Sequence, residues 1–97
     1  MGWIIEFDPR VEKDLNALDT IGRRRVLAFL KERITPLQNP RSLGESLRGE
    51  KLGKFWKYRV GNYRIICAIQ EKTIKILVVR IGHREEIYRY ISRMAES

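Results

Sequence analysis

Residues 56–69 dictate a tight antiparallel hairpin, and that hairpin constrains the fold more than any other segment. Trp56-Lys57-Tyr58-Arg59-Val60 alternates in side-chain type and is followed by Gly61-Asn62, a two-residue turn signal, and then by Tyr63 to Ile69. With Gly61 and Asn62 as the turn, Val60 stands opposite Tyr63, Arg59 opposite Arg64, and Lys57 opposite Ile66. One face then carries Lys57, Arg59 and Arg64. The other carries Trp56, Tyr58, Val60, Tyr63, Ile65, Cys67 and Ile69, the face expected beneath helices. Like charges paired across strands cost a fraction of a kcal/mol. An anion bound between Arg59 and Arg64 reverses that sign, whereas splaying into water or pairing with Glu45, Glu50 or Glu85 merely relieves it.

The rest of the chain supplies layers for this hairpin. Trp3 to Phe7 reads as a strand ending at Asp8-Pro9, a helix-start signal. Val11, Leu15 and Leu18 form one apolar stripe, with Arg10, Lys13 and Asp14 expected in water. After Asp19-Thr20, the residues Val26, Leu27, Leu30 and Ile34 line a second helix that stops at Thr35-Pro36. Residues 38–54 contain Pro40, Gly44, Gly49 and Gly53 and read as a surface loop with Arg41, Arg48, Lys51 and Lys54. Thr73 to Ile81 is a strand, apolar on both faces from Ile74 to Val79, which suggests an interior position. A turn near Glu71-Lys72 would set Arg64 beside Val79 and deliver Gly82, His83 and Arg84 to the cationic end of the sheet. Ile87 to Met94 reads as a short helix. The expected fold class is α+β: an antiparallel sheet of about four strands packed on an N-terminal helical hairpin, with a short C-terminal helix.

Composition narrows the function. A chain of 97 residues with 43% hydrophobic content closes one modest core, so one domain is expected. Its net charge of +8 calls for a polyanionic or acidic partner: RNA, DNA, an anionic membrane surface or an acidic protein. No apolar run approaches the roughly 20 residues of a membrane span, and the N-terminus lacks a secretion signal, so a cytoplasmic protein without a membrane partner is expected. Cys67 and His83 are the single cysteine and histidine. A zinc site or disulfide framework within one chain is therefore not expected, nor is any cofactor.

Trp56 to Ile66, together with Arg80-Ile81-Gly82-His83-Arg84-Glu85-Glu86-Ile87-Tyr88, resembles the RelE branch of the RelE/ParE toxin superfamily. The resemblance covers most of the chain, with residues 1–97 as one RelE-like toxin domain, and is most specific in the second half. It implies the toxin of a type II toxin-antitoxin system: a ribosome-dependent messenger RNA endonuclease that cuts A-site codons. The implied partners are a RelB-like antitoxin and the ribosome with its mRNA. Carried over by position, the catalytic set falls on Lys57, Arg64, Arg84 and Tyr88. Lys54, Arg59, His83, Arg48 and Lys51 are expected RNA contacts. Two departures stand out. A further lysine of well-known members falls here on Phe55, next to Lys54, which leaves the general base unassigned. The segment between Arg84 and Tyr88 is also shorter than in some members.

Metal-free RNA cleavage proceeds by attack of the 2'-hydroxyl on the adjacent phosphorus. It needs a proton acceptor, stabilisation of the pentavalent anion, and help for the departing 5'-oxygen. Arginine and lysine suit phosphate better than proton transfer. Arg64 and Arg84 are therefore expected on the scissile phosphate, with Arg84 also a candidate donor to the leaving group. Tyr88 is expected to stack on a base or bond the 2'-hydroxyl. Crowding by Arg59, Arg64 and Arg84 disfavours a charged Lys57, which opens a base role to it. Two alternatives stand beside this reading: a ParE-like gyrase-inhibiting toxin on the same scaffold, and a non-enzymatic basic nucleic-acid-binding module.

Overall fold

The structure is a computed structural model and describes residues 2–96. Strand β1 (Ile4–Phe7) leads into helices α1 (Arg10–Ala17) and α2 (Thr20–Ala28), and α2 runs on as a π-helical turn over Phe29–Ile34. A 3-10 turn at Pro40–Ser42 precedes β2 (Glu45–Ser46), β3 (Phe55–Val60) and β4 (Tyr63–Gln70). A second 3-10 turn, Glu71–Thr73, leads to β5 (Lys75–His83) and helix α3 (Arg84–Glu96). The sheet order is β1-β5-β4-β3-β2. All neighbours are antiparallel except β1, which runs parallel to β5 with Ile5 opposite Ile76. The fold is the expected α+β architecture, its sheet mixed by that parallel edge and extended by the short β2. β5 is interior, in keeping with its two apolar faces.

The β3–β4 register is the one dictated by the turn: Val60 pairs with Tyr63, Arg59 with Arg64, and Lys57 with Ile66. Gly61 takes φ +58°, which few residues other than glycine adopt without strain. The β4–β5 register differs from expectation. Arg64 lies opposite Gly82 rather than Val79, a shift of three residues. Two of the three come from a longer connection, in which Ile74 takes a left-handed φ of 54° and Gln70 pairs with Lys75. The third is a bulge, where Ile66 pairs with Arg80 while Cys67 pairs with Val78. The shift carries the start of α3 to the β3–β4 turn, where the Arg84 amide donates to the Asn62 carbonyl at 2.9 Å.

Apolar side chains pack on both faces of the sheet. On one face, Val11, Leu18, Val26, Leu30 and Ile34 from the helical hairpin meet Tyr58, Val60, Ile65, Cys67, Ile76, Val78 and Ile81. On the other, Ile87 of α3 joins Leu47 and Leu52 of the 47–54 segment against Ile66 and Val79. The segment expected to be a plain surface loop thus contributes buried leucines. Two helix assignments also change. Leu27 lies at the border of the buried stripe and is 37% exposed. Asp14 does not face water. It accepts from Arg80 Nε and Nη2 at 2.9 and 3.1 Å and from the Ile81 amide at 2.9 Å. The physical reason is that β1 ends opposite Val78, so the β5 amide beyond it has no strand partner and Asp14 takes its place. Asp19 caps α2 through the Gly22 amide at 2.7 Å.

Candidate functional site

The cationic face of the β3–β4 hairpin and the first turn of α3 enclose an open cleft of about 430 Å³. Lys57 and Arg59 project from β3, Arg64 from β4, and Arg84 and Tyr88 from α3, four residues apart and hence on one side of that helix. All four residues expected as catalytic line this cleft, together with Arg59. The helix start is fixed at both ends of its first turn: the Arg84 amide bonds Asn62, and the His83 amide donates to Glu86 Oε1 at 3.3 Å.

Arg64 is the buried member, only 7% exposed. Its Nη1 donates at 3.0 Å to the carbonyls of both Gly61 and Tyr63. The hairpin turn therefore clamps the guanidinium from behind without supplying a counter-charge. Among the described residues, Arg59, Arg64 and Arg84 have no carboxylate within ion-pair distance. Arg84 Nε donates to the Tyr88 hydroxyl at 3.2 Å. That bond and the guanidinium charge hold the Tyr88 phenol below its ordinary pKa, with smaller help from Lys57 and Arg64. The same bond pushes Arg84 further up, so its guanidinium stays charged. The Lys57 ammonium and the Arg84 guanidinium lie 5.6 and 5.4 Å from the Tyr88 ring centroid, within cation–π reach.

Two residues of the cleft were not singled out from the sequence as site residues. Glu45 pairs across β2–β3 with Lys57, and its Oε1 lies 3.3 Å from Lys57 Nζ. It relieves the cationic crowding at Lys57, while the arginines remain uncompensated. Gly44 sits beside it at φ +76°, where a Cβ would lie 2.4 Å from the Lys57 carbonyl oxygen and 2.7 Å from Trp56 Nε1. Only glycine lets the chain cross β3 closely enough to deliver Glu45. The sequence signal was Gly44-Glu45 itself, a glycine before an acidic residue in a basic loop.

The expected RNA contacts divide. Arg59 lines the cleft, and Arg48 lines a depression contiguous with it. Lys51 is exposed in the same segment. Lys54 lies with Nζ 5.4 Å from the centroid of the Phe55 ring, outside the cleft lining. His83 is not brought to the site. Its ring packs on Tyr63, with centroids 4.8 Å apart, on the face of the helical hairpin, because neighbours along a strand point to opposite sides. Phe55, at the position of the missing lysine, packs against the second core.

A sheet backed by a helical hairpin, with a cation-lined cleft under a C-terminal helix on its other face, defines the class: a toxin of the RelE/ParE superfamily. The comparisons agree. Toxin RelG of Mycobacterium tuberculosis is 28% identical over 89 residues, covering 92% of this chain and 99% of that protein. The toxin-antitoxin complex RelBE2 of M. tuberculosis superposes with a TM-score of 0.78 at 24% identity, covering 87% of this chain and 93% of that one. The RelB-RelE complex of Methanococcus jannaschii gives 0.63 at 26%, covering 88% and 96%. A family model described as "ParE toxin of type II toxin-antitoxin system, parDE" matches residues 5–88. The chain belongs to that family, as a RelE-like toxin of a type II toxin-antitoxin system.

Proposed function

We propose that this toxin is a ribosome-dependent endoribonuclease that cuts messenger RNA at A-site codons by attack of a 2'-hydroxyl on the adjacent phosphorus. The observation that carries the reading is the meeting of Lys57, Arg59, Arg64, Arg84 and Tyr88 in one cleft, where, among the described residues, no carboxylate lies within ion-pair distance of the three arginines. A phosphodiester supplies the missing anion. Arg64, clamped by two carbonyls, offers its remaining N–H groups as a preorganised phosphate donor, which is the arrangement that stabilises a developing oxyanion. Arg84, kept charged, stabilises the negative charge developing on the departing 5'-oxygen by hydrogen bonding, and a solvent proton completes the 5'-hydroxyl as the bond to phosphorus breaks. Tyr88, with its phenolate form favoured by Arg84, is the proton acceptor best suited to the 2'-hydroxyl, and Lys57 holds the nucleophile's side of the phosphate. These are modest proton-transfer groups. The ribosome's contribution is alignment of the RNA backbone, worth several kcal/mol in reactions of this kind.

A RelB-like antitoxin is the proposed resting-state partner. Relatives of this fold have been solved as RelB-RelE complexes, and an acidic or amphipathic segment laid over the cleft would supply the counter-charges its arginines lack. The test of the activity is primer extension on programmed ribosomes. The native chain is expected to give codon-positioned cuts, and Arg84→Ala to lose about 10²-fold or more, the scale seen when one oxyanion donor is removed. Gyrase-dependent DNA damage without codon-positioned cuts would instead establish the gyrase-inhibiting reading.

A further inference from the structure

The two arginines assigned to the phosphate and the leaving group hang from one turn. Successive carbonyls hold them: Gly61 and Tyr63 accept from Arg64 Nη1 at 3.0 Å, and Asn62 between them accepts the Arg84 amide at 2.9 Å. Where this turn sits therefore decides how the Arg64 guanidinium and the start of α3 are set relative to each other. A hairpin tip has no strand beyond it, so its position depends on what packs against it.

On the side of the sheet away from the cleft, that neighbour is the start of α2. Tyr63 crosses to it, and its hydroxyl donates to Asp19 Oδ1 at 3.3 Å. The same oxygen accepts the Gly22 amide at 2.7 Å. At Gly22 the phenol takes the space of a side chain: a Cβ there would lie 2.2 Å from the Tyr63 hydroxyl oxygen and 2.6 Å from its Cζ. Three residues on, Arg25 brings its guanidinium against the tip, where a Cβ on Gly61 would lie 3.1 Å from Nη2. The Tyr63 ring also packs on His83, the residue before Arg84. Burial and the Asp19 carboxylate hold the Tyr63 phenol above its ordinary pKa, so it remains a hydroxyl donor in this seat.

From this seat we infer that Tyr63 is a positioning residue for RNA cutting: held by Asp19 and Gly22 on the far face, it fixes the turn that aims Arg64 and Arg84, without touching RNA itself. The inference rests on the endonuclease reading. Its signature is a loss of turnover without a loss of binding. The charges of Lys57, Arg59, Arg64 and Arg84 persist wherever the turn sits, so attraction for the transcript survives. Alignment at phosphorus does not, since a displacement of about 1 Å costs up to about 10²-fold in rate.

Kinetics on programmed ribosomes test this, with Gly22→Ala evicting the phenol and Tyr63→Phe removing only its hydroxyl. Gly22→Ala is expected to lower kcat at least about tenfold with KM within about twofold of native, and Tyr63→Phe to lower kcat about threefold. In an Arg64→Lys background, where the clamp on the turn is already broken, the Gly22→Ala loss is expected to shrink to about threefold or less. Ile76→Val, in the core at the β1–β5 seam, is the destabilised control and is expected to cut at the native rate at a temperature where every variant is folded. A raised KM at native kcat overturns the inference, because it puts this region on the RNA. An undiminished Gly22→Ala loss in the Arg64→Lys background overturns it too, as does an equal kcat loss in Ile76→Val or native kcat in both turn variants. Should Gly22→Ala fail to fold, Tyr63→Phe carries the same comparisons, and its native kcat alone overturns the role. Absence of codon-positioned cutting by the native chain overturns the endonuclease reading and the positioning role with it.

Discussion

Replacing Asp14 by alanine should destabilise the toxin severely although Asp14 is far in sequence from the cleft. The carboxylate is 10% exposed and ties α1 to β5 through three hydrogen bonds, two from Arg80 and one from the Ile81 amide. Removing it leaves the Ile81 amide unpartnered in a residue that is 3% exposed, a cost of about 1–3 kcal/mol. The Arg80 side chain is 30% exposed and can partly rehydrate, so losing its pair adds less than the 3–5 kcal/mol of a fully buried one, about 1–2 kcal/mol. Together these give roughly 3 kcal/mol. At about 4–8 °C per kcal/mol for a domain of this size, the melting temperature should fall by roughly 12–24 °C. Asp14→Asn keeps an acceptor for the amide and should lose about half as much. Urea titrations of Asp14→Ala, Arg80→Ala and the double variant read the pair's coupling directly. The reasoning fails if Asp14→Ala costs less than about 1 kcal/mol, or if the two single losses simply add.

The remaining predictions concern the site and the sheet. Arg64→Lys should cut at least tenfold more slowly than the native chain while folding normally, because an ammonium cannot bond both turn carbonyls and still present a fork to phosphate; native-level cutting would contradict this. The rate should rise with pH until Tyr88 is deprotonated and then level, with the midpoint below the ordinary phenol value because Arg84 favours the phenolate. Tyr88→Phe should lower the rate by about 10²-fold or more and flatten that limb, and a pH profile unchanged in Tyr88→Phe would remove it from the base role. Gly44→Ala should displace Glu45 from Lys57 and cost at least about 1–2 kcal/mol from the left-handed backbone alone, measurable by denaturant titration; a neutral effect would contradict the close crossing at β3. Cys67, fully buried and with its thiol pushed up to about 12 by that burial, should react with a thiol reagent only as the protein unfolds, so rapid labelling of the native chain would disprove the packing of that face.

How far the sequence spoke depended on how local the determining interaction was. The β3–β4 register was readable to the residue, because a two-residue turn leaves no slack and Gly61 marks it. From that register came Lys57, Arg59 and Arg64 on one face. Arg84 was brought near them by the antiparallel return of the last strand, while Tyr88 came only from the family resemblance; their common side of α3 was not foreseen, because the last helix was expected to begin at Ile87 and begins at Arg84. The β4–β5 register was out of reach, since Glu71 and Lys72 carry no turn signature and nothing in the sequence marks the bulge at Ile66 and Cys67. The parallel docking of β1 was equally silent, because period-two alternation says nothing about the direction of a partner strand. Asp14 sits 66 residues from Arg80, so no local pattern could tell it from the solvated charges around it. His83 was misplaced by one step of the pleat: it shares the strand end with the cleft residues but points to the other side.

The parallel seam between β1 and β5 bears on how the molecule comes into being. Ile4 meets Lys75 across that seam, and synthesis runs from one towards the other, so the first strand made waits for the last before it gains a hydrogen-bonded neighbour. Until β5 is released and seated, Asp14 lacks Arg80, and the stretch leading to Arg84 and Tyr88 has no frame to stand on. Closing so long a loop is slow compared with forming the local β3–β4 ribbon. A nascent chain on its own ribosome therefore carries Lys57, Arg59 and Arg64 before Arg84 and Tyr88 join them, and the cleft as a whole closes only at the final folding step.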